Sequence, residues 1–208
     1  MKSNTYAYRV ENGIYINLTN KCTNACAFCI RNNGDGAYGS ESLWLEKEPD
    51  AAEVLAAVKN SFFPGCKEFV FCGYGEPLMK AEVLLESARL LKAEFPKIPI
   101  RINTNGHGNL ICERDITPEF TGLIDCVSVS LNASSAAEYA NLCKPIYGAK
   151  AYDALLAFAM ACKNHVPKVQ FSVVGDSLNK FQLAMCQATA DRCGVVLRVR
   201  AYLGNNGQ

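Results

Sequence analysis

Three cysteines near the start of the chain, Cys22, Cys26 and Cys29, are spaced as C-x3-C-x2-C and follow a strand-like run over residues 14–19. Thiolates are soft ligands that suit zinc or iron–sulfur clusters. A structural zinc site needs four ligands, usually as two separated pairs, and the sequence contains no second C-x2-C and no H-x3-H. Three cysteines without an obvious fourth therefore favour a four-iron cluster in which one iron stays open to another ligand.

A glycine-rich turn is the second feature that could do chemistry. Residues 73–77 read Gly-Tyr-Gly-Glu-Pro and follow a predicted strand over residues 68–72. Glycine lets a backbone approach a ligand closely, and the carboxylate of Glu76 suits a cation. In parallel α/β folds the working face lies at the carboxyl ends of the strands, so we expect this turn to face the same site as the cysteines.

Four later strands each carry polar residues on one face and apolar residues on the other. Along the chain the polar sets are Arg101, Asn103 and Asn105, then Ser128, Ser130 and Asn132, then Gln170 and Ser172, and finally Arg198 and Arg200. Side chains alternate between the two faces of a strand, whereas a barrel filled only for stability would point branched apolar residues inward. The pattern favours a cavity for a polar ligand, with hydroxyls and amides for a ribose and arginines for a carboxylate or phosphate.

The elements that would position these residues alternate between strand and helix. An Asn-Gly pair at positions 12–13 predicts a hairpin between residues 6–10 and 14–18. Further strands are predicted over residues 68–72, 98–103, 125–131, 168–174 and 195–202, and helices from residue 50 and over 79–95, 118–123, 135–142, 151–163 and 178–192. Six strand–helix units are too few for an eight-stranded barrel. From the pattern alone, an open doubly wound sheet is the alternative to a smaller barrel.

The composition is that of an ordinary globular protein, with 208 residues, half of them apolar. We expect a single domain over residues 1–208, with residues 1–13 as the first hairpin strand and no separate substrate domain. A formal net charge of +1 gives no strong nucleic-acid footprint. No apolar run approaches the ~18 residues that span a bilayer. An odd number of cysteines, 11 in total, argues against a disulfide framework. These features predict a cytoplasmic protein whose other eight cysteines are mostly small buried hydrophobes.

Two further features receive weaker interpretations. The Gly- and Asn-rich loop that follows the cysteines includes a formal G-x-G-x-x-G at residues 34–39. Because a dinucleotide fingerprint lies at a strand-to-helix turn, we interpret residues 32–40 as a flexible loop too polar to pack regularly, and residues 32–44 as a candidate lid. His107 follows a predicted strand on the working side, where a lone loop histidine is usually a surface residue, and His165 lies at the opposite end.

The cysteine pattern, with the aromatic Phe28 just before the third cysteine, resembles the signature of the radical S-adenosylmethionine (radical SAM) enzymes. This resemblance implies a partial (β/α)6 barrel with the N-terminal hairpin added to it. It also implies a 4Fe-4S cluster held by the three cysteines, with S-adenosylmethionine (SAM) on the open iron and Phe28 beside the adenine. The turn Gly73, Tyr74, Gly75 and Glu76 would bind the methionyl ammonium, and Ser128, Ser130 and Asn132 the ribose. Asn103, Asn105 and Arg200 complete the predicted cofactor-binding set.

The resemblance extends over nearly the whole chain. The segments at residues 43–49, 71–77, 103–109 and 127–133 together look most like the small TatD-associated radical SAM proteins. The resemblance implies an enzyme that receives one electron from an external donor of flavodoxin or ferredoxin type. Reductive cleavage of SAM would give a 5′-deoxyadenosyl radical that abstracts hydrogen from an unidentified substrate. The association of this group with a nuclease-like family is a hint toward a nucleotide or a nucleic-acid-related small molecule. Three alternatives remain open at this point: a glycyl-radical activating enzyme acting on a partner protein, a deazapurine-type synthase, and a non-catalytic iron–sulfur or zinc module.

Overall fold

The computed structural model of the protein describes residues 3–201. Residues 1–2 and 202–208 lie outside that range, and with them the two ends of the predicted 1–208 domain and the last residue of the predicted strand 195–202. The strands are β1 Ala7–Val10, β2 Gly13–Ile16, β3 Glu68–Phe71, β4 Ile100–Thr104, β5 Cys126–Ser130, β6 Lys168–Val174 and β7 Val196–Arg200. The α-helices are α1 Ala51–Ser61, α2 Ala81–Glu94, α3 Gly108–Cys112, α4 Ala136–Cys143, α5 Lys150–Cys162 and α6 Lys180–Cys193.

All seven strands form one sheet whose spatial order follows the chain from β1 to β7. β1 pairs antiparallel with β2, and every later pair is parallel. Successive parallel strands need crossover connections, and helices supply them. The prediction of an α/β fold with an N-terminal hairpin followed by six parallel strands is therefore confirmed. In the hairpin, Val10 pairs with Gly13, and Glu11 takes a left-handed conformation with φ 50°.

The two faces of the sheet differ in polarity, as the sequence predicts. Alternate residues of β2 to β6 point to the helix side and are fully buried there. They are Ile14, Ile16, Phe69, Phe71, Ile100, Ile102, Val127, Val129, Phe171 and Val173, and they form one core with apolar residues of the helices. Burial of this apolar face supplies the main driving force for assembling the helices on the sheet. The opposite face is left to the polar side chains.

Local signals fix most element boundaries. Asp50 caps α1 and forms a reciprocal capping box with Glu53, as the sequence predicts. Asn179 and Gln182 form the same arrangement at the start of α6. α3 has no counterpart among the predicted helices, because its five residues are too short to show a helical apolar stripe. In the part of the chain that the structure describes, every helix is too short or too polar to cross a membrane.

Candidate active site

One cavity opens on the polar face of the sheet and brings the predicted site residues together. Side chains of β4 to β7 and the segments that follow β2 and β3 form its wall. All fourteen residues predicted to hold the cluster or the cofactor line it: Cys22, Cys26, Phe28, Cys29, Gly73, Tyr74, Gly75, Glu76, Asn103, Asn105, Ser128, Ser130, Asn132 and Arg200. Their individual contacts with a cofactor stay predictions.

The cysteine loop is held in place by backbone hydrogen bonds to the end of α4. The amide N–H of Ala25 donates to the carbonyl of Cys143 at 2.9 Å, and that of Ala27 donates to Leu142 at 3.0 Å. These two bonds flank Cys26 on both sides. The loop therefore has a defined conformation although it contains no helix or strand between residues 17 and 29.

A buried polar network lies directly behind Cys22. The side-chain amide of Asn105 donates to the Thr23 hydroxyl at 2.8 Å and lies 3.9 Å from the Cys22 sulfur. The Thr23 hydroxyl in turn lies 3.0 Å from Nδ1 of His107, and Tyr139 contacts Nε2 of that ring at 3.4 Å. These bonds fix the orientation of Asn105 toward the sulfur.

The structure corrects the interpretation of His107 as a surface residue. Its side chain is fully buried, and burial lowers its pKa to about 4. His107 is therefore neutral and holds the cysteine loop from behind, outside the cavity wall. A single residue in a loop carries no sequence signal for this role, because Thr23, its partner, lies 84 positions earlier in the chain.

The environments of the thiols differ. Burial, followed by the nearby Glu76 carboxylate, raises the pKa of Cys22 to about 11. A hydrogen bond from Cys143 lowers the pKa of Cys26, and the pKa of Cys143 is raised in return. The shared proton therefore stays on Cys143, and Cys26 becomes a thiolate more readily than Cys22. Metal ligation requires thiolates.

The three cysteines fit an iron–sulfur cluster by the chemistry of their donor atoms. Cys22, Cys26 and Cys29 all face one cavity. Soft sulfur donors are the usual ligands of such a cluster, in which each thiolate binds a different iron.

The glycines of the Gly-Tyr-Gly-Glu turn are required by close packing against the segment between β2 and the cysteines. A Cβ on Gly73 would lie 2.1 Å from Oδ1 of Asn17, and one on Gly75 would lie 2.3 Å from the carbonyl oxygen of Thr19. The amide of Glu76 donates to the carbonyl of Lys21 at 2.8 Å. Sequence analysis explained these glycines by approach to a ligand; in the structure their missing side chains let the turn lie directly against the chain that leads to the cysteines.

Glu76 is almost completely buried, and its carboxylate accepts three hydrogen bonds. Oε1 accepts from the Leu78 amide at 3.1 Å and the Thr104 hydroxyl at 2.7 Å, and Oε2 accepts from the Asn105 amide at 2.7 Å. Burial outweighs these bonds and raises the pKa to about 7. A carboxylate offers about four acceptor positions, so one is left for a donor in the cavity. Glu76 thus joins the turn after β3 to the end of β4.

Residues 32–44 are packed against the sheet, which corrects the expectation of a loop too polar to pack. Leu43 and Ala37 are buried in a second apolar cluster with Tyr8, Val10 and Tyr74. The Tyr74 hydroxyl donates to the carbonyl of Gly34 at 2.7 Å. The loop covers one side of the cavity, in keeping with the predicted lid position. Sequence analysis missed this packing because the apolar residues of the loop lie in short runs, at residues 37–38 and 43–45, that show no helix or strand period.

The polar face of the sheet, which lines the cavity, carries an ion pair and a row of amide and hydroxyl side chains. Arg101 forms a two-pronged ion pair with Glu68 at 3.1 and 2.6 Å and donates to Asn103 at 3.0 Å. Hydrogen bonding to Glu68 raises the pKa of Arg101, although burial acts against it. Gln170 lies outside the cavity wall and donates to the Ser128 hydroxyl at 3.2 Å.

Asn132 carries an orphaned acceptor at the cavity. Asn132 lies just after β5 in a left-handed conformation with φ 55°. Its side-chain oxygen Oδ1 is buried without a hydrogen-bond partner. A buried acceptor without a partner costs free energy. A ligand hydroxyl, such as that of a ribose, would satisfy it. The donor set and this acceptor together fit the predicted pair of cluster and SAM.

The residues that line the cavity outside the predicted cluster and cofactor set include Tyr8, Asn24, Tyr38 and Cys72. Asn24 lies within the cysteine motif, so its position was the available signal. Cys72 directly precedes the glycine turn, but nothing in the sequence distinguishes it from the other cysteines that were predicted to be buried. Tyr8 and Tyr38 come from the hairpin and the loop, and no local pattern connects either of them with the strand ends.

The family profile described as the Radical SAM superfamily matches residues 16–185. The chain belongs to the radical SAM superfamily. Radical SAM enzymes use a 4Fe-4S cluster and SAM, and the matched region includes the three cysteines, the glycine turn and the polar strands up to β6. The predicted cofactors and the prediction of an enzyme are thereby confirmed at the level of the family.

Curated relatives include GTP 3′,8-cyclases from two strains of Corynebacterium glutamicum, ATCC 13032 and R. Each is 28% identical to the chain over 138 residues, which is 64% of this chain and 34% of the relative. The chain therefore spans about a third of the length of the curated relatives that it matches.

Solved structures support the fold. A structure of TYW1 with a bound lysine–pyruvate adduct covers 92% of this chain, and the match covers 66% of TYW1, with a TM-score of 0.61 and 15% identity. Streptococcus suis SuiB bound to its precursor peptide SuiA has the same TM-score and identity over 90% of this chain and 38% of SuiB. A radical SAM methyltransferase from Sphaerobacter thermophilus matches with a TM-score of 0.58 and 15% identity over 96% of this chain and 70% of that protein. These likenesses confirm the radical SAM core fold.

Proposed function

We propose that this radical SAM enzyme abstracts hydrogen from a small polar substrate of the nucleotide class, bound in the cavity beside the cysteine loop. The observation that carries the proposal is the common cavity. The three cysteines, the glycine turn and the polar ends of β4 to β7 all face it. When bound, the cluster and SAM supply a reductively generated 5′-deoxyadenosyl radical, and the protein supplies binding, orientation and exclusion of water.

The residues around the cysteines have distinct tasks in this proposal. Cys22, Cys26 and Cys29 would hold the cluster. The backbone amide of Asn24, 3.4 Å from the Cys22 sulfur, and the side-chain amide of Asn105 direct donors at that sulfur. Such donors stabilise the negative charge of a ligating thiolate and tune the reduction potential of a cluster.

The cofactor-binding tasks follow from the free polar groups. Asn132 would accept a hydrogen bond from a SAM hydroxyl through Oδ1, which is buried without a partner. Ser128 and Ser130 lie two residues apart on β5, so they share one face of the strand and face the same cavity. The fourth acceptor position of Glu76 and the backbone of the glycine turn would accept from the SAM ammonium. Phe28, which lines the same cavity, would lie beside the adenine.

The substrate class is supported by the polarity of the cavity and by the curated relatives, whose name gives GTP as their substrate. Amides, hydroxyls and guanidinium groups from four strands offer the donors that a nucleotide requires. The identity of the relatives is modest and covers a third of their length, so the substrate of this chain remains part of the proposal. Membership of the TatD-associated group, an electron donor of flavodoxin or ferredoxin type and a cytoplasmic location belong to it as well.

The test is anaerobic reconstitution followed by an assay for SAM cleavage. We expect ~4 irons per chain and release of 5′-deoxyadenosine when dithionite and SAM are added. Cys26→Ala should abolish both, because it removes one of three cluster ligands. Cys112→Ala is the matched control, since Cys112 is half-buried in α3 and does not line the cavity.

The outcomes of this test are distinct. Deoxyadenosine release that persists in Cys26→Ala would contradict the proposed cluster site. Zinc in place of iron in the wild-type protein would favour a metal-binding module. Release of deoxyadenosine that is accelerated by a partner protein, and by no nucleotide, would favour a glycyl-radical activating enzyme over the proposed small-molecule substrate.

A further inference from the structure

We propose that the substrate carries an oxyanion, a phosphate or a carboxylate, which binds to Arg198 and Arg200 on β7. This inference rests on the proposed function, because it names a group on the substrate of the same site. It also assigns Arg200 to the substrate, whereas the sequence prediction gave it to the cofactor. The argument depends on position, charge and unsatisfied hydrogen bonding.

Both arginines point to the cavity from the last strand of the sheet. In the register of β6 and β7, Ser172 lies opposite Arg198, and Val174 lies opposite Arg200. Arg198, Arg200 and Ser172 all line the cavity. The cysteines follow β2, and the order of the sheet separates β2 from β7 by the four strands β3 to β6. The arginines therefore mark the side of the cavity away from the strand that carries the cluster ligands.

Neither of these two arginines is paired with a carboxylate in the part of the chain that the structure describes. Among residues 3–201, no carboxylate lies within ion-pairing distance of either guanidinium. Arg101, the third arginine of the cavity, is neutralised by both oxygens of Glu68. Glu76, the carboxylate of the cavity wall, already accepts three hydrogen bonds from the chain. The β7 side thus has two uncompensated positive charges, which favour an anionic ligand.

The hydrogen-bonding groups on this side are also unused. Nε of Arg200 is buried and has no hydrogen-bond partner in the described chain. A buried donor of this kind costs free energy unless a ligand or water satisfies it. Ser130 and Ser172 lie opposite each other on β5 and β6, and both line the cavity. Two guanidinium forks with neighbouring hydroxyls match the several acceptor oxygens of a phosphate or a carboxylate.

The experiment measures binding of two simple oxyanions to the reconstituted, SAM-loaded protein by isothermal titration calorimetry. Pyrophosphate represents a phosphate-bearing substrate, and succinate represents a carboxylate-bearing one. We expect one of the two to bind, and Arg198→Gln and Arg200→Gln each to weaken it about tenfold or more, because charge-assisted hydrogen bonds are lost. Arg198→Lys should bind with intermediate affinity, since it keeps the charge and loses the fork.

Arg89→Gln is the matched control. It removes the same charge from an exposed position on α2, on the helix side of the sheet, and should leave oxyanion binding unchanged. Arg198 is exposed, so its substitution should leave the melting temperature unchanged; this keeps the test informative even if Arg200→Gln does not fold. The preferred oxyanion distinguishes a phosphate-bearing substrate from a carboxylate-bearing one.

Three results would overturn the inference: no binding of either oxyanion to the wild-type protein, an equal loss in Arg89→Gln, or a loss of SAM affinity with oxyanion affinity retained. The last result would return Arg200 to the cofactor. Release of deoxyadenosine is measured on the same wild-type sample to separate the two proposals. Oxyanion binding without SAM cleavage would refute the proposed function alone, and SAM cleavage without oxyanion binding would refute this inference alone.

Discussion

Replacing Glu76 with glutamine tests whether burial of the Glu76 carboxylate, at the junction between the glycine turn and β4, lowers the free energy of unfolding as the pH rises. Burial raises the pKa of Glu76 from its ordinary value of 4.5 to about 7, despite three hydrogen bonds that favour the charged form. The folded protein therefore holds the proton more tightly than the unfolded chain does. Glutamine has nearly the same shape and does not titrate in this range.

The size and sign of the effect follow from this pKa. Below about pH 4.5 the carboxyl is protonated in both states, and its contribution to stability is fully present. As the pH rises toward 7, the unfolded chain releases its proton while the folded protein retains it, so the free energy of unfolding falls. A rise in pKa of this size corresponds to a loss of about 3 kcal/mol. Above pH 7 the loss is complete and remains constant.

The assay is urea unfolding of the reduced, metal-free protein, followed by circular dichroism between pH 4.5 and 8. The difference in unfolding free energy between wild type and Glu76→Gln should shift by about 3 kcal/mol over this range in favour of the variant as the pH rises. The amide of glutamine must face one backbone N–H, which adds a constant cost of about 1–3 kcal/mol at every pH. Glu86→Gln, at an exposed position of α2, is the control. A difference that is independent of pH would refute the reasoning.

Two further substitutions test how the turn and the lid loop are held. Gly75→Ala should destabilise the protein by about 1–3 kcal/mol in urea unfolding, because its Cβ would lie 2.3 Å from a backbone carbonyl oxygen. Gly13→Ala is the control, since its Cβ would meet no atom nearer than 3.4 Å. Equal losses in the two variants would contradict the packing argument. Asn17→Ala should cost about 2 kcal/mol or more, since its side chain accepts from the Tyr74 amide at 3.3 Å and donates to the lid-loop carbonyl of Leu43 at 2.8 Å. Faster proteolysis of residues 32–44 in Asn17→Ala is the expected second readout, and an unchanged cleavage rate would show that other contacts hold the loop.

Much of the fold could be predicted because its signals are local and periodic. The alternation of apolar and polar residues in β4 and β5 predicted which face of each strand is buried and which lines the cavity. The capping box at Asp50 and Glu53 marked the start of α1. The Asn-Gly pair marked the hairpin. Each signal involves residues within a few positions of one another, which the sequence displays directly.

Other features depend on contacts between distant residues and left no local trace. His107 contacts Thr23 and Tyr139, which lie 84 and 32 positions away. The packing of Leu43 beneath the lid loop depends on Tyr74 and Tyr8. The tight approach of Gly75 to the chain before the cysteines likewise joins two separate segments. Sequence analysis therefore gave these residues a general role, as a surface histidine, a flexible loop or a ligand-facing glycine.

The sequence by itself determined the kinds of group at the site, because thiolates at C-x3-C-x2-C spacing and polar residues at strand ends have a chemistry that does not depend on their partners. It also determined the order of strands and helices, through hydrophobic periodicity. Only the tertiary structure decided which of those groups are free to act. Arg101 is neutralised by Glu68 from the neighbouring strand β3, while Arg198 and Arg200 on β7 have no carboxylate partner within residues 3–201. Charge and hydrogen-bonding capacity are compensated through space, and a linear sequence does not contain those distances.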